Sequence, residues 1–206
     1  MLITNLDSYL KVRKGAIHVG AHEGQERHWY KNNSFEKVIW FEPNTEIFPR
    51  LVENIRDFSG QQAFNLGVHE SLTNAVLHIS SNGGQSSSIL EFGLHKHYAP
   101  TINYIRQQKI KLVRIDKFLI EHQFDISEFN FLNVDVQGVE LSVMKSFGEL
   151  LGKLDYIYAE VNTGELYKGC CLLSEIDEYV GKFGFIRVLT KMTQCEWGDA
   201  FYRKTR

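Results

Sequence analysis

Cysteine is scarce: the 206-residue chain has three, Cys170, Cys171 and Cys195. An odd number with one adjacent pair makes no disulfide framework, and adjacency excludes a C-x-x-C redox pair. A reducing, cytoplasmic setting is the expectation. Basic excess is missing too, with 23 Lys and Arg against 25 Asp and Glu and a net charge of −2. That argues against a nucleic-acid partner, whose phosphates attract a basic face. No run of about 18 apolar residues occurs, so no membrane-spanning helix is expected. The opening residues MLITNLDSYLKVRKG hold no long apolar stretch, so no secretory leader is expected. Neither G-x-x-x-x-G-K-[ST] nor G-x-G-x-x-G is present. The first absence excludes a P-loop, and the second disfavours a nicotinamide dinucleotide site.

What remains is ordinary globular composition, 43% hydrophobic and 23% charged, at a length that suits one domain over residues 1–206. Residues 1–14 read as a short helix or cap with Leu2, Leu6 and Leu10 on one face. Gly15–Val19 reads as a strand. A helix then begins near Gly24 and ends before Asn32-Asn33-Ser34. Lys37–Phe41 is a nearly continuous apolar run, as in a strand buried on both faces, and Pro43 stops it. Asn44 caps a helix carrying Ile47, Leu51, Val52 and Ile55, and Ala63–Val68 is the next strand.

That β-α-β-α-β order predicts a parallel, doubly wound sheet. The rhythm breaks over residues 70–125, read as an insertion lying across one end of the sheet. It contains strands at Ala75–Ser80 and Lys111–Ile115, a polar Gly/Ser loop over 81–88, and an irregular Gly93–Pro100. Tyr104, Arg106 and Lys109 read as a solvated face. Alternation resumes with a strand at Phe131–Val136, an amphipathic helix opened by Gly138, and a strand at Asp155–Val161. A helix over Leu172–Phe183 ends at Gly184. Phe185–Leu189 and Asp199–Tyr202 form a final antiparallel pair. The expected fold is α/β, a Rossmann-like, mostly parallel seven-stranded sheet with a C-terminal antiparallel strand and a mid-chain insertion.

In open α/β sheets ligands bind outside the carboxyl ends of the strands. The first strand runs into Gly20-Ala21-His22-Glu23-Gly24-Gln25, where glycines allow a tight turn and close backbone approach. About 20 residues on, Glu42 ends the second strand, where an acid accepts hydrogen bonds from ribose hydroxyls. Phe41, Leu66 and Val68 either flank an adenine ring or belong to the core. An adenosine without pyrophosphate points to S-adenosylmethionine.

The ordered series HVGAHEGQE (18–26), WFEPN (40–44), NLGVHE (65–70), GQSSSIL (84–90), LNVDVQGVELSVM (132–144), AEVN (159–162), ELYKG (165–169) and WGDAFYR (197–203) resembles the FkbM-type methyltransferase family. The resemblance implies a class I S-adenosylmethionine-dependent O-methyltransferase acting on a small-molecule or glycan hydroxyl. Gln137 departs from the family's usual glutamate in the run after the fourth strand, while Asp135 and Glu140 remain.

An alcohol needs a base within hydrogen-bond reach, or a metal, to become a nucleophile. Asp135 and Glu160, both closing apolar strands, are the catalytic candidates. The cofactor set is Gly20, Ala21, His22, Gly24, Gln25, Glu42, Pro43, Gly67, Val68 and Asp135. Asp135, Glu160 and Asn162 are hard oxygen donors that could hold Mg²⁺ or Mn²⁺, although no metal ligand is assigned. His18 reads as a packed core histidine bonded to nearby backbone. The acceptor set is Ser87, His95, His97, Tyr167 and Trp197. Two other readings stay open: a nicotinamide-dependent oxidoreductase, and an inactive module within a glycan-assembly protein.

Overall fold

The computed structural model describes residues 3–71 and 73–205. Leu2 lies outside them. Among the described residues, ten strands and six α-helices follow one another: β1 Gly15–Val19, α1 Arg27–Asn32, β2 Lys37–Phe41, α2 Phe48–Ile55, β3 Gln61–Phe64, β4 Gly67–Val68, β5 Asn74–Ser80, α3 His95–Tyr98, β6 Tyr104–Val113, α4 Ile115–Glu121, β7 Phe129–Val134, α5 Glu140–Lys145, β8 Tyr156–Asn162, α6 Leu173–Gly181, β9 Phe185–Met192 and β10 Trp197–Lys204.

Seven strands form one sheet in the order β3-β2-β1-β7-β8-β10-β9. The neighbours from β3 to β8 run parallel, and β10 runs antiparallel to both β8 and β9. This is the doubly wound, mostly parallel sheet with a reversed C-terminal strand that the alternation predicts. Its order reverses at β1, next to β7, which places a crevice at the carboxyl ends of those two strands.

The apolar runs that form the central strands are buried on both faces. Every residue of β1 and β7 is buried. Ile17 and Val19 face one layer, with Phe118 and Leu119 of α4, Met144 of α5 and Val180 of α6. Ala16 and Trp40 face the other, with Tyr30 of α1, Leu51 and Ile55 of α2, and the N-terminal Leu6 and Leu10. Burying side chains of this size contributes about 1.5–3 kcal/mol each, which makes these strands the rigid frame of the site.

The structure differs from the sequence expectation at several element boundaries. Helical hydrogen bonding starts at Arg27 rather than Gly24, because His22 and Gly24 take φ of +47° and +72°. Left-handed residues cannot continue a right-handed helix. The Ala63–Val68 run is two strands: β3 joins the large sheet and β4 leaves it for a small sheet ordered β4-β6-β5. At the break, Asn65 Nδ2 donates to the carbonyls of Glu42 and Pro43. Arg106 and Lys109, read as a solvated face, are indeed exposed, but they lie on β6, a ten-residue strand paired antiparallel with β5 that begins well before Lys111. The insertion is therefore shorter than 70–125, since α4 packs in the core through Ile115, Phe118 and Leu119.

Candidate active site

At the carboxyl ends of β1, β2, β7 and β8 lies a cavity of about 610 Å³. That is ample for a nucleoside-sized ligand plus part of a second molecule. It is roofed by the 81–102 segment and walled at one side by the start of β10.

The turn after β1 forms the floor. Gly20 and Ala21 donate their amides to Phe41 O at 3.0 Å each. His22 N donates to Glu42 Oε2 at 2.8 Å, and Asn44 N donates to Glu42 Oε1 at 2.7 Å. Each Glu42 oxygen keeps a second lone pair for a ligand hydroxyl. Burial pushes the Glu42 carboxyl up to about 7, against the pull of those two amides. The His22 ring ties the floor to the roof: Nε2 meets Gly83 O at 3.0 Å, and Gln25 Nε2 meets Nδ1 at 2.9 Å. Since a carbonyl only accepts, Nε2 carries the ring proton and Nδ1 accepts from Gln25.

The back wall is acidic. Asp135 lines the cavity at the end of β7, and its side chain stays accessible there. Burial raises the carboxyls of both Asp135 and Glu160, Glu160 strongly, and their mutual repulsion adds to the Glu160 shift. Gln137 Nε2 lies 2.6 Å from Asp135 Oδ1 and 3.0 Å from Glu160 Oε2. Asp199 stands opposite Glu160 in the β8–β10 register and also lines the cavity. Glu26 joins them from the start of α1, and burial pushes it up to about 7. Beneath, Glu140 is fully buried, accepting the amides of Val136 and Gly138 at 3.2 and 3.0 Å.

The roof is polar and aromatic. His95 Nε2 meets Ser86 Oγ at 3.1 Å, and its ring stacks on Phe92 at 4.3 Å. Burial lowers the His95 pKa, which favours the neutral ring. Tyr167 is almost wholly buried, while Trp197 is 39% exposed. Both line the cavity.

Of the residues singled out from sequence, Gly20, Ala21, His22, Gln25, Glu42, Pro43, Gly67, Val68, Asp135, Glu160, Ser87, His95, Tyr167 and Trp197 all line this one cavity. Gly24 and His97 do not. Gly24 packs against α2, where an added Cβ would come 2.7 Å from Leu51 Cδ1. His97 is exposed and rests edge-on against Tyr98. Asn162 is fully buried away from the cavity, with neither side-chain polar atom hydrogen-bonded among the described residues. No group of three His, Cys, Asp or Glu side chains among the described residues is arranged to hold a metal. His18 is a core histidine, but its partner is the Tyr30 hydroxyl at 3.1 Å rather than backbone, and burial lowers it to about 3. Glu26 and Asp199 went unflagged in the sequence. Glu26 sits in a polar helix start, and the position of Asp199 depends on a strand register that sequence does not state.

The profile of the methyltransferase FkbM domain matches residues 18–188. The 2-O-methyltransferase NoeI of Sinorhizobium fredii (strain NBRC 101917 / NGR234) is 22% identical over 197 residues, covering 92% of this chain and 79% of NoeI. Ribosomal protein L11 methylase from Lactobacillus delbrueckii subsp. bulgaricus superposes with a TM-score of 0.54 at 9% identity, over 99% of this chain and 78% of its own. M. capricolum TrmK, solved with S-adenosyl-homocysteine, superposes with a TM-score of 0.52 at 8% identity, over 99% of this chain and 68% of its own. At such identities the likeness to these structures is one of fold. The profile spans most of the chain, from the strand that leads into the glycine turn to the last pair of strands, and the protein belongs to the methyltransferase FkbM domain family.

Proposed function

We propose that the chain transfers a methyl group from S-adenosylmethionine to a hydroxyl, most plainly one on a sugar of a glycan or glycosylated metabolite. The observation that carries this reading is the charge of the cavity wall. Glu26, Glu42, Asp135, Glu160 and Asp199 line it, and no Lys or Arg does among the described residues. Such a wall attracts a cation and repels a pyrophosphate, which favours a sulfonium cofactor over a nicotinamide dinucleotide. The same charge opposes a polyanionic nucleic-acid acceptor. An inactive module is disfavoured by these acids, whose burial is costly without a ligand to meet them.

The donor set fits the cofactor by its chemistry. Glu42 would hold the ribose hydroxyls through its spare lone pairs. The Gly20–His22 backbone and Asp135 would hold the methionine portion. When bound, the cofactor supplies a methyl group on a positively charged sulfur. The protein's own part is to bring the acceptor oxygen into line, remove its proton and exclude bulk water. Glu160 suits the proton step, because its raised carboxyl is a stronger base than an ordinary glutamate. The roof residues Ser87, His95 and Tyr167 offer hydrogen bonds to the acceptor, and Trp197 offers a flat, partly exposed face for a sugar ring. The name of NoeI, a 2-O-methyltransferase, supports oxygen as the methylated atom.

Calorimetric titration with S-adenosylhomocysteine tests the cofactor. Micromolar binding is expected, and no heat at millimolar ligand would overturn the reading. Transfer of a labelled methyl group from S-adenosylmethionine to a panel of oligosaccharides then tests the acceptor. Trp197→Ala is expected to raise the acceptor KM about tenfold, or about 1.4 kcal/mol, with cofactor affinity unchanged.

A further inference from the structure

Among the described residues, the Gln137 side chain hydrogen-bonds both candidate catalytic carboxyls. Its Nε2 carries two hydrogens, and Asp135 Oδ1 at 2.6 Å and Glu160 Oε2 at 3.0 Å take one each. Its Oε1 accepts from the Tyr167 hydroxyl at 2.5 Å. This fixes the amide orientation. Turned over, the amide would set its oxygen against two carboxyls and lose the hydroxyl donor. Burial raises the Tyr167 pKa further, so that hydroxyl stays protonated and keeps donating. The backbone is held as firmly. Gln137 takes φ of +58°, a left-handed conformation that a non-glycine residue keeps only where its surroundings demand it. Ser88 Oγ donates to its carbonyl at 2.7 Å, tying that conformation to the roof.

We propose that Gln137 is a positioning residue for methyl transfer, its single amide nitrogen bridging Asp135 and Glu160 and keeping both carboxyls turned into the cavity. Without it the two acids would lose the neutral donor that both accept from, leaving their mutual repulsion less opposed and favouring the protonated form of the pair. The bridge leaves the outer lone pairs of both carboxyls free for a cofactor and an acceptor proton. Tyr167, which also lines the cavity beside Ser86 and His95, thus joins the roof to the acids through Gln137. The groups facing the pair are Asp199 of β10, Glu140 of α5, His22 of the floor and, farther along the wall, Glu26, Glu42 and Tyr167. No Lys or Arg among the described residues lines this wall to take the place of the lost amide donor.

The inference takes its purpose from the proposed reaction, but the bridge is tested separately. The titrations of Asp135 and Glu160 are followed by carboxyl-carbon NMR on the full chain, with Asp135→Asn and Glu160→Gln spectra for assignment. Gln137→Met keeps the length and removes both donors. Gln137→Asn keeps an amide that is one methylene too short to reach both acids. Either variant is expected to raise the two midpoints by about one unit. Unmoved midpoints in whichever variant folds would overturn the proposal, because a side chain that only fills space does not influence proton binding. S-adenosylhomocysteine titrated into the unaltered chain keeps the two ideas apart. Shifted midpoints without binding would remove the cofactor reading and leave the bridge.

Discussion

A Cβ on Gly20 would stand 1.7 Å from the carbonyl oxygen of Asp135. The turn after β1 and the end of β7 therefore approach as closely as two backbones can, and the floor of the cavity touches its acidic wall at this point. Gly20 also has φ of +85°, where an L side chain is strained. Gly20→Ala is expected to cost at least about 3 kcal/mol, from the clash together with the backbone strain. Chemical denaturation measures that loss. S-adenosylhomocysteine affinity should fall with it even under conditions where the variant remains folded. A fully stable Gly20→Ala with unchanged affinity would mean that the contact does not shape the site.

The acidic wall sets the pH dependence of stability. Burial pushes Glu26 from 4.5 up to about 7 in the fold. A raised acid binds its proton more tightly when folded than when unfolded. Between pH 4.5 and 7 the folded chain therefore holds more protons, and stability falls as pH rises through that window. Below both values and above both values the contribution is flat. Glu26→Gln removes one such group and is expected to reduce the fall by up to about 3 kcal/mol. Urea denaturation at a series of pH values reads this directly. An identical slope in the variant would contradict the buried, protonated Glu26.

The central frame was legible in the sequence because continuous apolar runs such as Lys37–Phe41 and Phe131–Val134 leave little choice but doubly buried strands. Of β6 only the end, inside the Lys111–Ile115 run, was legible, because its first six residues are mostly exposed on both faces and show no alternation. The α4 helix was not legible, because its seven residues give barely two turns of pattern and include Ile120 at 74% exposed. In the site, acids that close apolar strands stood out, since a carboxylate in such a run asks for a reason. Gln137 stood out only as a departure from the family pattern. Its contacts depend on a left-handed φ and on Tyr167, thirty positions away, which no local signal announces. Glu26 and Asp199 reach the cavity by packing and register alone.

His22 fastens the roof. Its ring joins Gly83 of the 81–88 loop to Gln25 of the floor. Ser88 and Gly84 anchor the rest of the loop through the Gln137 carbonyl and Ile47, so His22→Ala should free its tip at Gly83 without disturbing the buried strands. The expected result is a loss of about tenfold in S-adenosylhomocysteine affinity, or about 1.4 kcal/mol, with little change in melting temperature. Limited proteolysis should cut within 81–88 faster in the variant. Equal affinity and equal cleavage would show that the roof is held by its own Ser and Asn network instead.

Cofactor binding should expel protons. Burial pushes both Glu42 and Glu26 up to about 7, and it raises Asp135 as well. A cation placed against these groups favours their ionised forms and lowers their pKa values. Binding S-adenosylmethionine at about pH 6.5 should therefore release protons, and affinity should climb with pH until the carboxyls are ionised in the free chain. S-adenosylhomocysteine carries no sulfonium charge and should release fewer. Calorimetry in two buffers of different ionisation enthalpy measures the release, since the observed heat changes with the buffer in proportion to the protons exchanged. Glu26→Gln should lower the count without removing binding. Heats independent of buffer for S-adenosylmethionine would mean that the wall is already ionised, or that the cation lies elsewhere.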